Sequence, residues 1–114
     1  MTDTDFDSLP QFAPDVFESL ERSLGKADLY ELLSYLPEEG DRVLIELADA
    51  RQSGNLEAVR VATHALKGAA GNFGAIRLEA ISRAMNDSGT TLEDLNKLAG
   101  PLERCIEALK SELA

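Results

Sequence analysis

The chain has 114 residues, one cysteine, one histidine and a formal charge of −10, a single domain's length and enough to bury roughly two-thirds of its unfolded surface without disulfide staples. Cys105 cannot pair within the chain, and neither a charged-then-apolar leader nor an apolar run of membrane-spanning length is present, so the expected setting is reduced and cytoplasmic. With 21 acidic against 11 basic residues, general nucleic-acid binding is not expected, because phosphate backbones are held by clustered Lys and Arg.

Residues 1–14 open as MTDTDFDSLPQF, have no period, and read as a loose lead-in. Pro14 suits a helix entry, and Asp15 to Leu24 places Val16, Phe17 and Leu20 on one face before Gly25 ends it. A second helix from Lys26 to about Gln52 turns Leu29, Leu32, Leu33, Leu36, Val43, Leu44 and Leu47 inward. Pro37 and Gly40 are expected to kink this helix rather than divide it, because the apolar phase is the same on both sides. SGN at 53–55 is a turn signal, with Asn55 as N-cap of a third helix reaching Asn72. A fourth, from Ala75 to Asn86, buries Ile76, Ile81 and Met85 together with Leu78, and NDSGT closes it.

Thr90 and Glu93 have the spacing of a capping box and open a fifth helix, in which Leu92, Leu95, Leu98, Leu102, Ile106 and Leu109 step by three and four. Gly100-Pro101 interrupts it without shifting the phase. No alternating β-branched run suggests a sheet. Four long amphipathic helices with short connections, preceded by one short helix, therefore predict an all-α, antiparallel four-helix bundle over residues 15–114.

Within the third predicted helix lies THALKGAAGNFGA, residues 63–75, which holds the lone histidine and three glycines. Glycine weakens a helix by about 1 kcal/mol relative to alanine, so each needs a local reason. At 100° per residue, Leu56, Val59, Thr63, Leu66, Ala70 and Phe73 cluster inward. Arg60, His64, Lys67, Gly68 and Gly71 fall on the outward stripe. The charge distribution singles out the same place: residues 55–84 carry a balance of +2 from Arg60, Lys67, Arg77 and Arg83 against Glu57 and Glu79, and the remainder carries −12.

An exposed imidazole, with an unperturbed pKa near ~6.5, has a free ring nitrogen at neutral pH. Neighbouring cations favour that neutral form, and the nitrogen can attack an electrophile. Were the electrophile a phosphoryl group, Lys67 stands where an ammonium would neutralise the dianion, and phosphoryl transfer asks chiefly for positioning and charge stabilisation. Gly68 and Gly71 leave room for another molecule to straddle the helix. A metal site is not expected, because the chain has no second histidine and usual transition-metal sites need three or four ligands. A nucleophile-base-orienter triad lacks its base.

His64-Ala65-Leu66-Lys67-Gly68, followed by Asn72-Phe73-Gly74-Ala75, resembles the H-x-L-K-G…G-A signature of histidine-containing phosphotransfer (HPt) domains of bacterial phosphorelays. The likeness extends over roughly Leu29 to Met85. It implies that His64 accepts and donates the phosphoryl group on the imidazole nitrogen farther from the backbone, that Lys67 steadies the group, and that Gly68 admits the partner. Gly74 would belong to the turn into the next helix. A polar side chain on that helix, Asn86, Arg83 or Ser82, would hydrogen-bond the ring. The implied partners are response-regulator receiver domains, which supply an aspartate and Mg²⁺, and a hybrid histidine kinase. Their contact surface would comprise Arg60, Val61, His64, Lys67, Gly68 and Gly71 with neighbouring parts of the second helix.

No nucleotide-binding loop or kinase catalytic-loop signature is present, so autonomous kinase activity and a resident cofactor are not expected. A chain of this length starting at Met reads as a free-standing, monomeric phosphorelay intermediate. The alternative from another class is a helical docking module that binds receivers or a kinase as scaffold or competitor without being phosphorylated.

Overall fold

The computed structural model describes residues 5–87 and 90–114; the first four residues of the expected lead-in and two residues of the expected NDSGT turn, 88–89, lie outside the described residues. A short 3-10 turn at Phe6–Ser8 precedes six α-helices among the described residues. These are α1 Pro14–Leu24, α2 Lys26–Leu33, α3 Tyr35–Ser53, α4 Glu57–Asn72, α5 Ile76–Asn86 and α6 Leu92–Leu113. No strand occurs among the described residues. α3 and α5 each pack against both α4 and α6, which closes a ring of four. The links at 54–56 and 73–75 are too short to carry the chain back along a helix, so those packed neighbours run antiparallel. The molecule is an all-α four-helix bundle with short helices ahead of it, as the periodicity predicts.

Leu33, Leu47, Leu66, Ile81, Leu102 and Leu109 meet at its centre without measurable exposure. On the transfer scale a fully buried side chain of this size stabilises by about 1.5–3 kcal/mol. No helix among the described residues is long and apolar enough to cross a membrane.

Five local features differ from the sequence reading. The expected kink in the second helix is a break at Ser34, between α2 and α3, although Ser34 itself keeps helical angles. Pro37 has no N–H for the Leu33 carbonyl and its ring crowds that carbonyl, so the interruption falls ahead of the proline. Leu32, expected inside, is exposed, because Leu29, Leu33 and Leu36 already fill the inward stripe. Gly100-Pro101 does not interrupt the last helix; α6 runs through Pro101 without a break. The carbonyl that Pro101 deprives of a donor is that of Lys97, an exposed residue.

The capping box sits one residue later than expected. Thr91 Oγ1 accepts from the Asp94 amide at 3.1 Å, and Asp94 Oδ2 accepts from the Thr91 amide at 3.4 Å. Thr90 instead donates its hydroxyl to the Ala84 carbonyl at 3.1 Å, which folds the link back onto the end of α5.

The lead-in, read as loose for want of a period, is held down from residue 5 onward. Phe6 and Phe12 are buried, Asp7 pairs with Arg104 on α6 at 2.9 Å, and Arg77 on α5 donates twice to the Leu9 carbonyl, at 2.8 and 2.6 Å. The Ala13 amide donates to the Gly74 carbonyl at 2.8 Å. Two aromatic side chains and a few polar clips can order a segment that lacks any helical repeat. Beneath it, the buried Cys105 thiol donates to Gln11 Oε1 at 3.5 Å.

Candidate functional site

α4 is placed by its own sequence pattern. Val59, Ala62, Thr63, Leu66 and Ala70 face the core, so the opposite stripe must face outward. Asn55 stands two residues before the helix and its Oδ1 accepts from the Glu57 amide at 2.9 Å, which satisfies one of the four orphan donors of the first turn. Arg60, Val61, His64, Gly68 and Gly71 are all exposed, and Lys67 is half-buried. His64 therefore stands in solvent midway along α4.

The imidazole lines a shallow recess with Glu57, Arg60, Val61 and Asn86. Asn86 reaches it from the last turn of α5. Its Nδ2 donates to the Arg60 carbonyl and to Thr63 Oγ1, both at 2.9 Å, while Thr63 donates to the same Arg60 carbonyl at 3.1 Å. One amide thus ties α5 to α4 one turn ahead of His64, and its Oδ1 has no partner among the described residues. Of the three candidate ring partners, Asn86 alone shares this recess. Ser82 is fully buried and donates to the Leu78 and Glu79 carbonyls of its own helix. Arg83 pairs with Glu79 at 3.4 Å.

Lys67 points into a second recess on the α5 side, which it lines with Phe6, Leu9, Glu79, Arg83 and Asn86 among others. It makes no ion pair within 4.0 Å among the described residues. Asn86 borders both recesses, the one that His64 lines and the one that Lys67 lines.

The three glycines of the motif have three different reasons. A Cβ at Gly68 would meet nothing within 4 Å, so the space above it is open to another molecule. At Gly71 the space is taken: a Cβ would stand 2.7 Å from Glu79 Oε2. Room at Gly71 thus belongs to a side chain of α5. Gly74 has φ of +64°, and its missing Cβ would lie 2.9 Å from that of Val16. It makes the turn into α5 and lets α1 close over it.

On the other flank of α4, the side chains of Asp28, Glu31, Leu32, Tyr35, Ala69, Asn72 and Phe73 line a groove. Leu32, Tyr35 and Val61 are large apolar side chains left exposed on this side. A hydrogen bond with Glu39, together with its negative charge, holds the Tyr35 phenol above its ordinary pKa. Glu79 and the lead-in residues Phe6 and Leu9 belong to the surroundings of the motif but escape a sequence reading. Only the i,i+4 spacing of Glu79 and Arg83 signals any of them, and it does not say that they meet α4.

An exposed imidazole on a helix with bare backbone beside it offers a ring nitrogen that can accept a group from another molecule. The family model described as Hpt domain matches residues 9–112. The chain belongs to the Hpt domain family, whose members serve phosphotransfer in two-component signalling and work with kinase and receiver domains. No curated protein and no solved structure matches the chain.

Proposed function

We propose that this chain carries a phosphoryl group on Nε2 of His64, taking it from a receiver-domain aspartate or from a histidine kinase and passing it to another receiver aspartate. The observation that supports this reading is the exposed imidazole midway along α4, with Lys67 half-buried beside it and nothing within 4 Å of the Gly68 Cβ position.

The Nε2 lone pair attacks the phosphorus of an aspartyl phosphate, the bond from phosphorus to the aspartate oxygen breaks, and its electron pair leaves on the carboxylate. Nδ1 keeps its proton throughout, so the step needs no general base and the chain needs none. The product pairs a cationic ring with a dianionic phosphoryl group, which the Lys67 ammonium neutralises. Donation reverses the same bonds. Asn86 Oδ1, unpartnered at the edge of the recess, accepts from Nδ1–H and so fixes the tautomer that leaves Nε2 free.

The receiver brings the aspartate and Mg²⁺. This chain contributes the carrier atom and no kinase activity of its own, and it works as a cytoplasmic monomer. The receiver covers Arg60, Val61, His64 and Gly68 and sets apolar side chains against Leu32 and Tyr35 in the adjacent groove.

Incubating the purified protein with a phosphorylated receiver and following the label tests this. An acid-labile, base-stable adduct is expected, and it disappears in His64→Gln while the helical circular dichroism stays unchanged. Undiminished labelling of that variant removes the site assignment. Receiver binding without labelling of the wild type by any donor leaves a docking module in its place.

A further inference from the structure

Gly71 lies on the exposed stripe of α4 that also bears Gly68, yet it serves the protein's own α5. Glu79 Oε2 would be 2.7 Å, and Cδ 3.6 Å, from a Cβ at this position. Glycine here cuts a notch in which the carboxylate rests against the α4 backbone. Arg83, one turn along α5, pairs with the same Oε2 at 3.4 Å and holds it there. Lys67 lines the same recess as Glu79, Arg83 and Asn86.

Along α4 the order is His64, Lys67, Gly71, at i, i+3 and i+7. The Lys67 backbone is thus about 4.5 Å of rise beyond His64 and about 6 Å short of the Glu79 notch. Along the helix Lys67 is thus set between two anionic positions: the phosphoryl group on one side when His64 carries it, and the Glu79 carboxylate, in the recess that Lys67 also lines, on the other.

We infer that Glu79 is a positioning residue that competes with the phosphoryl group for Lys67 and thereby sets how readily phospho-His64 gives that group up; the inference rests on the carrier reading. With His64 unmodified, the carboxylate draws the ammonium toward the Gly71 end of the recess. Phosphorylation pulls it back against that field, and the carboxylate also repels the dianion directly. Both effects raise the free energy of phospho-His64 above what an unopposed lysine would allow, so the group is kept for transit rather than storage. The side chain of Glu79 is 35% exposed, so water screens the effect to a several-fold one.

The test loads the full chain from two donors, a phosphorylated receiver and the small molecule phosphoramidate, and reads phosphohistidine by ³¹P NMR. With the receiver, Glu79→Gln is expected to raise the equilibrium ratio of phospho-His64 to aspartyl phosphate by about threefold to tenfold. Gly71→Ala, whose Cβ displaces the carboxylate, shifts it the same way by less. Glu79→Asp keeps a carboxylate in the recess and stays close to wild type. In a Lys67→Gln background, Glu79→Gln keeps only the smaller part of the shift that comes from direct repulsion of the dianion.

An unchanged ratio in both Glu79→Gln and Gly71→Ala overturns the inference and leaves the carrier reading standing. A full-sized shift that persists without Lys67 also overturns it, since Glu79 would then act by another route. A wild type that takes phosphoryl from neither donor sinks the carrier reading first, and this inference with it.

Discussion

Glycine and a nucleophile occur together twice in this bundle, and the two places treat them oppositely. On α4, Gly68 faces open space and the His64 imidazole beside it is exposed. Against α6, Gly40 of α3 receives Ile106, whose Cγ1 would stand 2.7 Å from a Cβ there, and the Cys105 thiol is fully buried. The absent side chain at Gly40 is replaced by one of the protein's own, and the one at Gly68 by none. The comparison teaches that a helix-weakening residue is explained by what comes near it, and that a nucleophile becomes useful only on the side where nothing does.

At neutral pH the largest expected effect breaks the closed side. Gly40→Val forces Ile106 out of its seat and is expected to cost about 2 kcal/mol, since overpacked cores lose 1–3 kcal/mol. Urea unfolding measures this. No loss of stability would mean that Ile106 is not seated against Gly40.

The thiol sharpens the same side through pH. Burial pushes Cys105 up from 9.0 to about 12, with Asp7 adding to the rise and Arg77 opposing it. The unfolded thiol ionises first, so between pH 9 and 12 the unfolded state binds fewer protons than the folded one. The contribution is whole below pH 9 and is lost at about 1.4 kcal/mol per pH unit as pH rises through that window. Unfolding measured across that window in wild type and Cys105→Ala tests it, because the variant should lack this slope. Thiol reagents should also leave the native protein nearly unlabelled.

The smallest effect probes the open side. Gly68→Ala adds a methyl that meets nothing and removes backbone freedom from a helix interior, so it should stabilise by up to about 1 kcal/mol. Gly68→Trp should leave helicity intact but slow transfer from a receiver by about tenfold or more, which amounts to only ~1.4 kcal/mol in the barrier. If transfer by the tryptophan variant is unaffected, the space over Gly68 is not the partner's.

Much of the fold is legible in the sequence because helical period is a local property. The inward set Val59, Thr63, Leu66 and Ala70 determines the outward set on α4 by rotation alone, and His64 follows from it. Residues whose role depends on a second element were not legible. Gly71 and Gly68 are the same letter on the same stripe, and only the register of α5 against α4 places Glu79 over one and nothing over the other. Phe6 and Phe12 carry no period; the burial of Phe6 depends on surfaces that α5 and α6 make together, and Phe12 packs on the Phe17 ring of α1 at 5.2 Å. Thr90 and Thr91 both have an acidic residue three positions on, and the pull of the Ala84 carbonyl on Thr90 decides which of them caps α6.

The sequence by itself determined that the chain is a helical bundle, and that one imidazole, one ammonium and bare backbone share an outward stripe, because periodicity and side-chain chemistry are written residue by residue. Only the tertiary structure decided that Asn86 reaches the edge of the histidine recess, that Lys67 shares its recess with Glu79, and that Cys105 is sealed under the lead-in. Those facts depend on how far one helix slides and turns against another. That register is set by the packing of many side chains at once, and no single stretch of the chain contains it.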